Sequence, residues 1–299
     1  MNLAELTALT EDDCRAYLEK IRWPDGAVCP HCGSKEVTEL RGVSTTRGTY
    51  KCKSKACRKK FTVRVGTIFE SSHIKLRHWV MAFHLMCASK KGISAHQLHR
   101  SIGVTYKTAW FMCHRIRHAM EEGSGLLSGT VECDETYVGG KPRVPGSSKR
   151  GAGTKKQPVM VLVERDGRAN CLPVENVDAS SLKSEIRVRV TKDSVIMTDE
   201  LSSYRGIGKE YARHVTVNHK SKKYARRCPD GFNANTNTAE SFFALLKRGH
   251  YGVFHNLSKR HIQRYCHEFA FRWNHRKVSD GARMIAAIQG AEGKRLTYK

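Results

Sequence analysis

The sequence lacks any apolar run long enough to cross a membrane. Nowhere in its 299 residues does an apolar stretch approach the roughly 18 residues of a membrane span. The first twenty residues, MNLAELTALTEDDCRAYLEK, carry acidic side chains where a secretory signal is basic, and they contain no long apolar core. We therefore expect a cytoplasmic protein that has no membrane partner.

Acidic residues are also scarce relative to basic ones. The chain contains 28 Asp and Glu against 53 Lys and Arg, so its formal net charge is +25, and its pI is about 9.8. Such an excess is typical of proteins that dock on phosphate backbones. No isolated basic amphipathic helix favours a membrane surface instead. Nucleic acid is the expected partner.

Eleven cysteines in a chain without a secretory signal indicate metal binding and buried thiols rather than a disulfide framework. Four of them form the pattern C-x2-C-x19-C-x4-C. Two closely spaced thiolate pairs suit tetrahedral Zn²⁺, and so small a module needs a metal to fold. The pattern predicts a zinc ribbon with one structural Zn²⁺, bound by Cys29, Cys32, Cys52 and Cys57. Basic residues around the second pair indicate that the ribbon touches DNA, with a merely solvated face as the alternative.

Helix signals surround the ribbon. Thr10 and Asp13 resemble a capping box before an amphipathic helix. From residue 76 to 120 the apolar residues recur at helical spacing, and Ser94, Gly103 and Thr105 predict a helix, a tight turn and a second helix. This helix-turn-helix would place its second helix on DNA. The candidate DNA contacts there are Tyr106, Lys107 and Arg115, and a helical hairpin without a DNA role is the alternative.

The second half of the sequence predicts a mixed α/β sheet. Strand-like runs at 130–138, 159–164, 168–174 and 195–198 alternate with helical segments. The order of strands and helices fits a ribonuclease H-like sheet. Between the first two strands, the stretch from Gly139 to Pro158 is rich in glycine and basic residues, and we expect a mobile loop. Lys141 in this loop is a candidate DNA contact, and a plain flexible connection is the alternative.

Three carboxylates stand at informative positions in this half. Asp134 and Asp199 lie at strand-like runs, and Glu240 lies in a predicted helix seven residues before Lys247. In the predicted sheet the first and fourth strands are neighbours, so that Asp134 and Asp199 would meet and a later helix would bring Glu240. Converging carboxylates suit a pair of hard divalent cations that act on phosphodiesters. Glu132, Glu135 and Glu200 compete as ligands, and spacing does not decide between them.

Seven motifs occur in a characteristic order: CPHCG, YKCKSKACRKKFTVRVGTIFESS, TAWFMCHRIR, DETYVGGK, VNH, NTAESFFALLKRGHYG and LSKRHIQRYCHEFAFRWNHR. In this order they resemble bacterial insertion-sequence transposases of the ISXO2-like type, which join an N-terminal zinc ribbon to a DDE catalytic domain. The resemblance runs from about Cys14 to Arg276. It implies that Asp134, Asp199 and Glu240 are the catalytic triad and bind two Mg²⁺ or Mn²⁺ ions. It further implies that Lys247, with Arg248, contacts DNA.

By this resemblance the chain would hydrolyse DNA at the ends of an insertion sequence and join the freed 3′-hydroxyl to target DNA. Its partners would be double-stranded DNA, as terminal inverted repeats and target, and further copies of itself in a dimer or larger assembly on the nucleoid. Two alternatives stay open: a ribonuclease H-like nuclease or resolvase without strand transfer, and a non-catalytic zinc-containing regulator. The expected division is ribbon with its preceding helix (1–70), helix-turn-helix-like region (71–125), catalytic domain (126–280) and tail (281–299).

Overall fold

The computed structural model describes residues 2–123, 125–139, 156–217, 225–229 and 231–297. It comprises two compact units. The first, called the ribbon-helix unit, contains Met1–Glu121 and Val278–Lys299, and the second, called the sheet unit, contains Glu122–Lys277. The predicted DNA contact Lys141 and most of the glycine-rich basic stretch around it lie outside the described residues. Among the described helices, none combines the length and apolar character that crossing a membrane requires.

The ribbon-helix unit begins with two capped helices and a small sheet. The predicted capping box is confirmed, because the Thr10 hydroxyl accepts a hydrogen bond from the Asp13 amide (3.2 Å) and the Asp13 carboxylate accepts one from the Thr10 amide (2.9 Å). The three strands pair antiparallel in the order β1-β2-β3. The elements are α1 (Leu3–Ala8), α2 (Glu11–Arg22), β1 (Val37–Glu39), β2 (Tyr50–Cys52) and β3 (Lys60–Phe61).

The predicted helix-turn-helix is also confirmed as local structure. After α3 (Leu76–Ala88), Ser94 caps α4 (Ala95–Ile102) by accepting from the Gln97 amide, and Thr105 caps α5 (Tyr106–Ala119) by accepting from the Thr108 amide. Gly103 ends α4 with φ of 70°, a left-handed conformation that glycine adopts without strain. The apolar residues that recur at helical spacing in α4 and α5 are buried: Leu98, Ile102, Ala109, Met112 and Ile116.

The last described residues return to this unit. Helix α9 (Asp280–Gln289), capped by Ser279, packs on α3. Beyond it the chain pairs with the segment after the ribbon, since the Ile68 amide donates to the Ala291 carbonyl (3.3 Å). Residues 281–299, expected as a tail, thus contain most of a helix, and the four-part division of the chain stays a prediction.

The sheet unit is built on a mixed five-stranded sheet in the order β6-β5-β4-β7-β8. The pairs β4/β5 and β5/β6 are antiparallel, whereas β4/β7 and β7/β8 are parallel. Strands β9 and β10 form a separate two-stranded antiparallel sheet. The strands are β4 (Thr130–Val138), β5 (Gln157–Glu164), β6 (Ala169–Pro173), β7 (Val195–Thr198), β8 (Arg213–Thr216), β9 (Ala225–Arg227) and β10 (Asn233–Asn235).

Helices cover both faces of this sheet, which explains the continuous apolar run of β5. On one face Val159, Val161 and Val163 pack with the phenylalanines of α7 (Asn237–Gly249) and α8 (Ile262–Asn274). On the other face Met160 and Leu162 pack with α6 (Ala179–Arg189). A strand buried on both faces has no polar alternation, because successive side chains enter opposite cores.

The sequence predicts a helix from Ser258 to Arg276 that is capped at Ser258 and carries Arg272 on its exposed side; the structure contradicts both details. Ser258 does not cap α8, because residues 259–261 form a turn and the helix begins at Ile262 without a side-chain cap. Arg272, expected outside, is 6% exposed and pairs with Glu268, which is fully buried. The buried surface of α8 extends beyond its apolar residues to Glu268 and Arg272. The two opposite charges pair because a buried charge without a partner is strongly destabilising.

Candidate active site and zinc centre

The four predicted zinc ligands converge in the ribbon-helix unit. The sulfurs of Cys29, Cys32, Cys52 and Cys57 all lie within 4.8 Å of one another. The Cys29–Cys57 and Cys32–Cys52 sulfur distances are 3.8 and 3.6 Å. A tetrahedral zinc with bonds of about 2.3 Å separates its sulfurs by about 3.8 Å. The donor set and its spacing therefore fit one Zn²⁺. His31, which lies between the first two cysteines in the sequence, is exposed, and the four sulfurs already complete a tetrahedral set.

Besides this cluster, the ribbon has a small apolar core. Its apolar core is an aromatic group in which Trp23 meets the edges of Tyr50 and Phe61 at centroid distances of 5.6 and 5.8 Å. The Tyr50 hydroxyl donates to Glu19 of α2 (3.2 Å), which attaches the sheet to that helix. Strands of two or three residues bury little area, so a bound Zn²⁺ would supply a large part of the ribbon's folding free energy.

The catalytic candidates Asp134 and Asp199 meet because β4 and β7 are parallel neighbours. Glu132 lies opposite Met197 in the register. Two residues further along each chain, Asp134 in β4 and Asp199 just after β7 reach the same level of the sheet. Sixty-five sequence positions (199 minus 134) separate them, and the fold closes that gap.

A third carboxylate joins this pair, and it is that of Glu135. Carboxylate oxygens of Asp134, Glu135 and Asp199 all lie within 4.8 Å of one another, and all three residues are partly buried. Each is held by a donor: the Glu135 amide donates to Asp134 (2.8 Å), the Leu201 amide to Asp199 (3.0 Å) and the Tyr204 hydroxyl to Glu135 (2.7 Å). Tyr204 is fully buried, so the carboxylate of Glu135 has a rigid support.

Crowded negative charge changes the acidity of this cluster. Burial, followed by the charge of Glu135 and those of Asp199 and Glu240, raises the pKa of Asp134 to about 7. Burial and the Asp199 charge likewise raise the pKa of Glu135 to about 7, against the lowering effect of the Tyr204 hydroxyl. Both shifts have the direction expected of buried carboxylates crowded by further negative charge.

Glu240 stands next to this cluster rather than within the 4.8 Å group. It lies exposed in the first turn of α7, and its charge is among the causes that raise the pKa of Asp134. Lys247 and Arg248 follow in the last turn of α7, both exposed. The predicted helix thus carries the acid at its start and two cations at its end.

Glu132 has a different task, which its position two residues before Asp134 does not reveal. Its fully buried carboxylate accepts from the Thr238 amide (2.8 Å), the Ala239 amide (3.0 Å) and the Thr238 hydroxyl (3.0 Å). It also forms an ion pair with Arg165 (2.9 Å). Helix α7 has no side-chain cap of its own. A strand residue therefore caps the helix that carries Glu240 and fixes that helix against β4.

The candidate DNA contacts of the ribbon-helix unit differ in exposure. Tyr106, at the start of α5, is 45% exposed, and its ring stacks on His96 at a centroid distance of 4.2 Å. Lys107 is exposed beside it. Arg115 is partly buried and donates to the carbonyls of Ile68 (3.0 Å) and Glu70 (3.3 Å). Tyr106 and Lys107 are thus accessible from solvent, whereas Arg115 stabilises the segment that follows the ribbon.

The sequence patterns located most of this arrangement but missed its supporting residues. Glu132 and Glu135 were considered only as competing ligands, and no signal pointed to Tyr204 or Arg165. The carboxylates Asp134, Glu135 and Asp199 offer several oxygens to one point and carry excess negative charge, which are the requirements of a hard divalent cation. This donor set fits such an ion without specifying which metal it is.

A four-cysteine ribbon together with a carboxylate cluster in a mixed sheet fits a DDE enzyme with a zinc ribbon. Residues 126–274 match the family model of the ISXO2-like transposase domain, and residues 9–60 match that of the transposase zinc-ribbon domain. The chain belongs to the ISXO2-like transposases that carry an N-terminal zinc ribbon.

Two individual proteins show the range of similarity. A protein of Halobacterium salinarum, described as an uncharacterized protein in transposable element ISH50, is 28% identical over 284 residues, which span 89% of this chain and 92% of the relative. The solved simian T-cell lymphotropic virus intasome, in complex with the PP2A regulatory subunit B56 gamma, aligns with 62% of this chain and 66% of its own at 16% identity and a TM-score of 0.31. A likeness of that size supports no conclusion here.

Proposed function

We propose that this transposase mobilises an insertion sequence by metal-dependent hydrolysis of DNA at the element's ends, followed by attack of the freed 3′-hydroxyl on target DNA. The observation that carries the proposal is the convergence of Asp134 and Asp199 at neighbouring strands, with Glu240 on the adjoining helix, in a chain of this family. The other acid of the cluster, Glu135, stands beside them.

The proposed fold of the sheet unit is ribonuclease H-like. Counting from β4, the strand order is 3-2-1-4-5, with the first three strands antiparallel and the last two parallel to the first. This order places the first and fourth strands side by side, which is where the proposed triad requires them. Helices on both faces support the same assignment.

In the proposed mechanism Asp134, Asp199 and Glu240 are ligands and not proton-transfer groups. Divalent ions bound there, Mg²⁺ or Mn²⁺ and two in number, would activate water or the 3′-hydroxyl and stabilise the leaving oxygen. The Tyr204 hydroxyl orients Glu135, and Glu132 holds the start of α7, the helix that carries Glu240. No covalent intermediate with the protein is required.

The DNA contacts proposed for this reaction come from both units. Lys247 and Arg248 would bind phosphate near the scissile bond, while Tyr106 and Lys107 on α5, with Arg115, would bind the element's terminal repeat. The net charge of +25 supports a polyanionic partner. Because two DNA ends must be brought together, we propose that a dimer or larger assembly of this chain acts on the nucleoid.

Mapping the DNA ends that the protein makes tests this proposal. Purified protein is incubated with Mg²⁺ and a plasmid that carries the DNA flanking its gene, beside a Glu240→Gln variant, and every new 3′ end is sequenced. Cleavage at repeat ends followed by joining, absent in the variant, is the expected result.

Two other outcomes would replace the proposal. Metal-dependent cutting without joined products would assign a ribonuclease H-like nuclease or resolvase. DNA binding by both proteins, with neither cleaving nor joining, would assign a non-catalytic zinc-containing regulator.

A further inference from the structure

A polar cleft opens beside the first turns of α7. Its volume is about 490 Å³, and its lining includes the side chains of Asn233, Asn237, Ser241, Trp273 and Arg276. Asn237 and Ser241 belong to α7, the helix that also carries the proposed catalytic acid Glu240, so one helix contributes to both. None of these lining residues has a role in the mechanism above.

One wall of the cleft is an asparagine-rich strand. Asn233 and Asn235 are alternate residues of β10, and Ala234 between them is fully buried in a core on the opposite side. Arg165 fixes this strand by donating to the carbonyls of Asn233 (2.7 Å) and Asn235 (3.0 Å). Because Arg165 is also paired with Glu132, the wall is attached to the same residue that positions α7.

Another part of the lining is an arginine stacked on a tryptophan. The Arg276 guanidinium lies 4.6 Å from the ring centroid of Trp273, and one of its nitrogens donates to the carbonyls of Gly167 (3.0 Å) and Trp273 (2.8 Å). These contacts hold the guanidinium in place. Planar cationic groups of this kind stack on nucleobases.

The chemistry of the lining suits a nucleobase better than a phosphate. Its polar groups are mainly amides and hydroxyls, its arginines are partly engaged in internal contacts, and Asp166 adds a negative charge that repels phosphate. Asparagine amides donate and accept in one plane and pair with base edges.

The size of the cleft restricts the occupant further. A cube of 490 Å³ has an edge of about 8 Å, whereas the major groove of duplex DNA alone is about 12 Å wide. The volume of the cleft thus matches one nucleotide better than a base pair.

We propose that this cleft holds one unpaired nucleotide of the DNA next to the scissile phosphate, with the asparagine side chains at its base edge and the Arg276–Trp273 stack at its face. The proposal rests on the function proposed above, because it requires DNA in the active site. Drawing one nucleotide out of the duplex fixes the position of the neighbouring phosphate relative to Glu240.

Fluorescence of 2-aminopurine tests the cleft directly. The probe is a duplex of the DNA flanking the gene, with 2-aminopurine placed singly at each position near the mapped cleavage point, and Ca²⁺ replaces Mg²⁺ to prevent cleavage. The wild-type protein, an Asn233→Ala/Asn237→Ala double variant and an Asn256→Ala control, which changes an exposed asparagine outside the cleft, are compared.

Wild type and the control should unstack the analogue at one position, and the double variant should not. A mismatch at that position should tighten binding to wild type at least about tenfold, because the base is already unpaired. Binding of DNA without unstacking at any position, or unstacking that persists in the double variant, overturns the cleft proposal alone. Failure of wild type to bind this DNA overturns the proposed function, and the cleft proposal with it.

Discussion

The zinc ribbon and the carboxylate cluster are two candidate metal sites of opposite construction. The ribbon takes its four ligands from 29 consecutive residues, 29 to 57, and has a core of a few aromatic rings. The carboxylate cluster takes its acids from β4 and from the residue just after β7, in a sheet that is buried on both faces. The ribbon is expected to need its metal in order to fold, whereas the sheet brings the carboxylates together without a metal.

This difference separates what each metal does. Zinc binding by four thiolates at tetrahedral spacing would supply the free energy that orders a chain with little core of its own. Carboxylates held by Tyr204, Leu201 and the backbone are already placed before a metal binds, at the expense of repelling one another. Removing zinc should therefore unfold the ribbon, and removing the divalent ion should leave the sheet unit folded.

The largest expected effect follows from removing one thiolate. Cys52→Ala should abolish zinc binding and unfold residues 24–62, because an open three-ligand site forfeits most of the metal's contribution. Metal analysis and hydrogen exchange measure this, with Cys171→Ala, a buried thiol of the sheet unit, as the control that retains zinc. A protected ribbon in the Cys52 variant would contradict the distinction drawn here.

Removing a carboxylate should act on the reaction and not on the fold. Asp134→Asn should lower DNA cleavage on the order of 1000-fold, since a metal contributes several kcal/mol to the transition state. It should also reduce the stabilisation that Mn²⁺ gives wild type in thermal melts. Lower stability of this variant in the absence of metal would show that the aspartate is structural.

Glu132→Gln should separate positioning from ligation. An amide cannot accept from the two α7 amides and pair with Arg165 as the carboxylate does, so α7 and Glu240 shift. Cleavage should fall about 10- to 100-fold at unchanged DNA affinity. Glu210→Gln, which breaks the ion pair with Arg187 in the same unit, is the matched control. Equal losses in both variants would indicate a general loss of stability.

Lys247→Ala should weaken DNA binding moderately. If the side chain neutralises one phosphate, the slope of log affinity against log salt should fall by about 0.9. Binding titrations at several salt concentrations measure the slope, and Lys209→Ala, an exposed lysine elsewhere in the unit, should leave it unchanged. An unchanged slope for Lys247→Ala would remove this residue from the DNA surface.

The smallest effect concerns pH. The pKa values of Asp134 and Glu135, about 7 when folded and metal-free, exceed their ordinary values of 3.8 and 4.5. Between about pH 4 and 7 the folded protein thus binds more protons than the unfolded one, so the free energy of unfolding falls as pH rises. At pH 8 metal-free Asp134→Asn should melt about 4 °C above wild type. A lower melting temperature of the variant would contradict the pKa shifts.

Sequence patterns predicted the parts of this protein whose causes are local. Ser94, Gly103 and Thr105 act within one helical turn, and β7 was predicted at its observed bounds because its apolar run ends at a polar residue. The four-cysteine cluster could likewise be predicted, because the two members of each cysteine pair are only a few residues apart. Prediction failed where burial depends on packing against other elements. Arg272 has helical spacing typical of an exposed residue, yet it is buried and paired with Glu268.

The same limit applies to the candidate active site. Asp134 and Asp199 could be paired from strand order alone, since neighbouring parallel strands follow from the topology. The tasks of Glu132 and Glu135 could not be separated, because one caps a helix 106 positions later and the other meets a tyrosine 69 positions later. Such partners become evident only when the chain is folded.

Joining of a pre-cut DNA end tests the central claim most directly. An oligonucleotide with the exposed 3′-hydroxyl of the element's end is incubated with target plasmid, Mn²⁺ and zinc-loaded protein, either wild type or the Asp134→Asn/Asp199→Asn variant. We predict covalent joining by wild type and none by the variant, with both proteins binding the oligonucleotide equally. Joining that persists in the variant would contradict the assignment of these carboxylates as the catalytic centre.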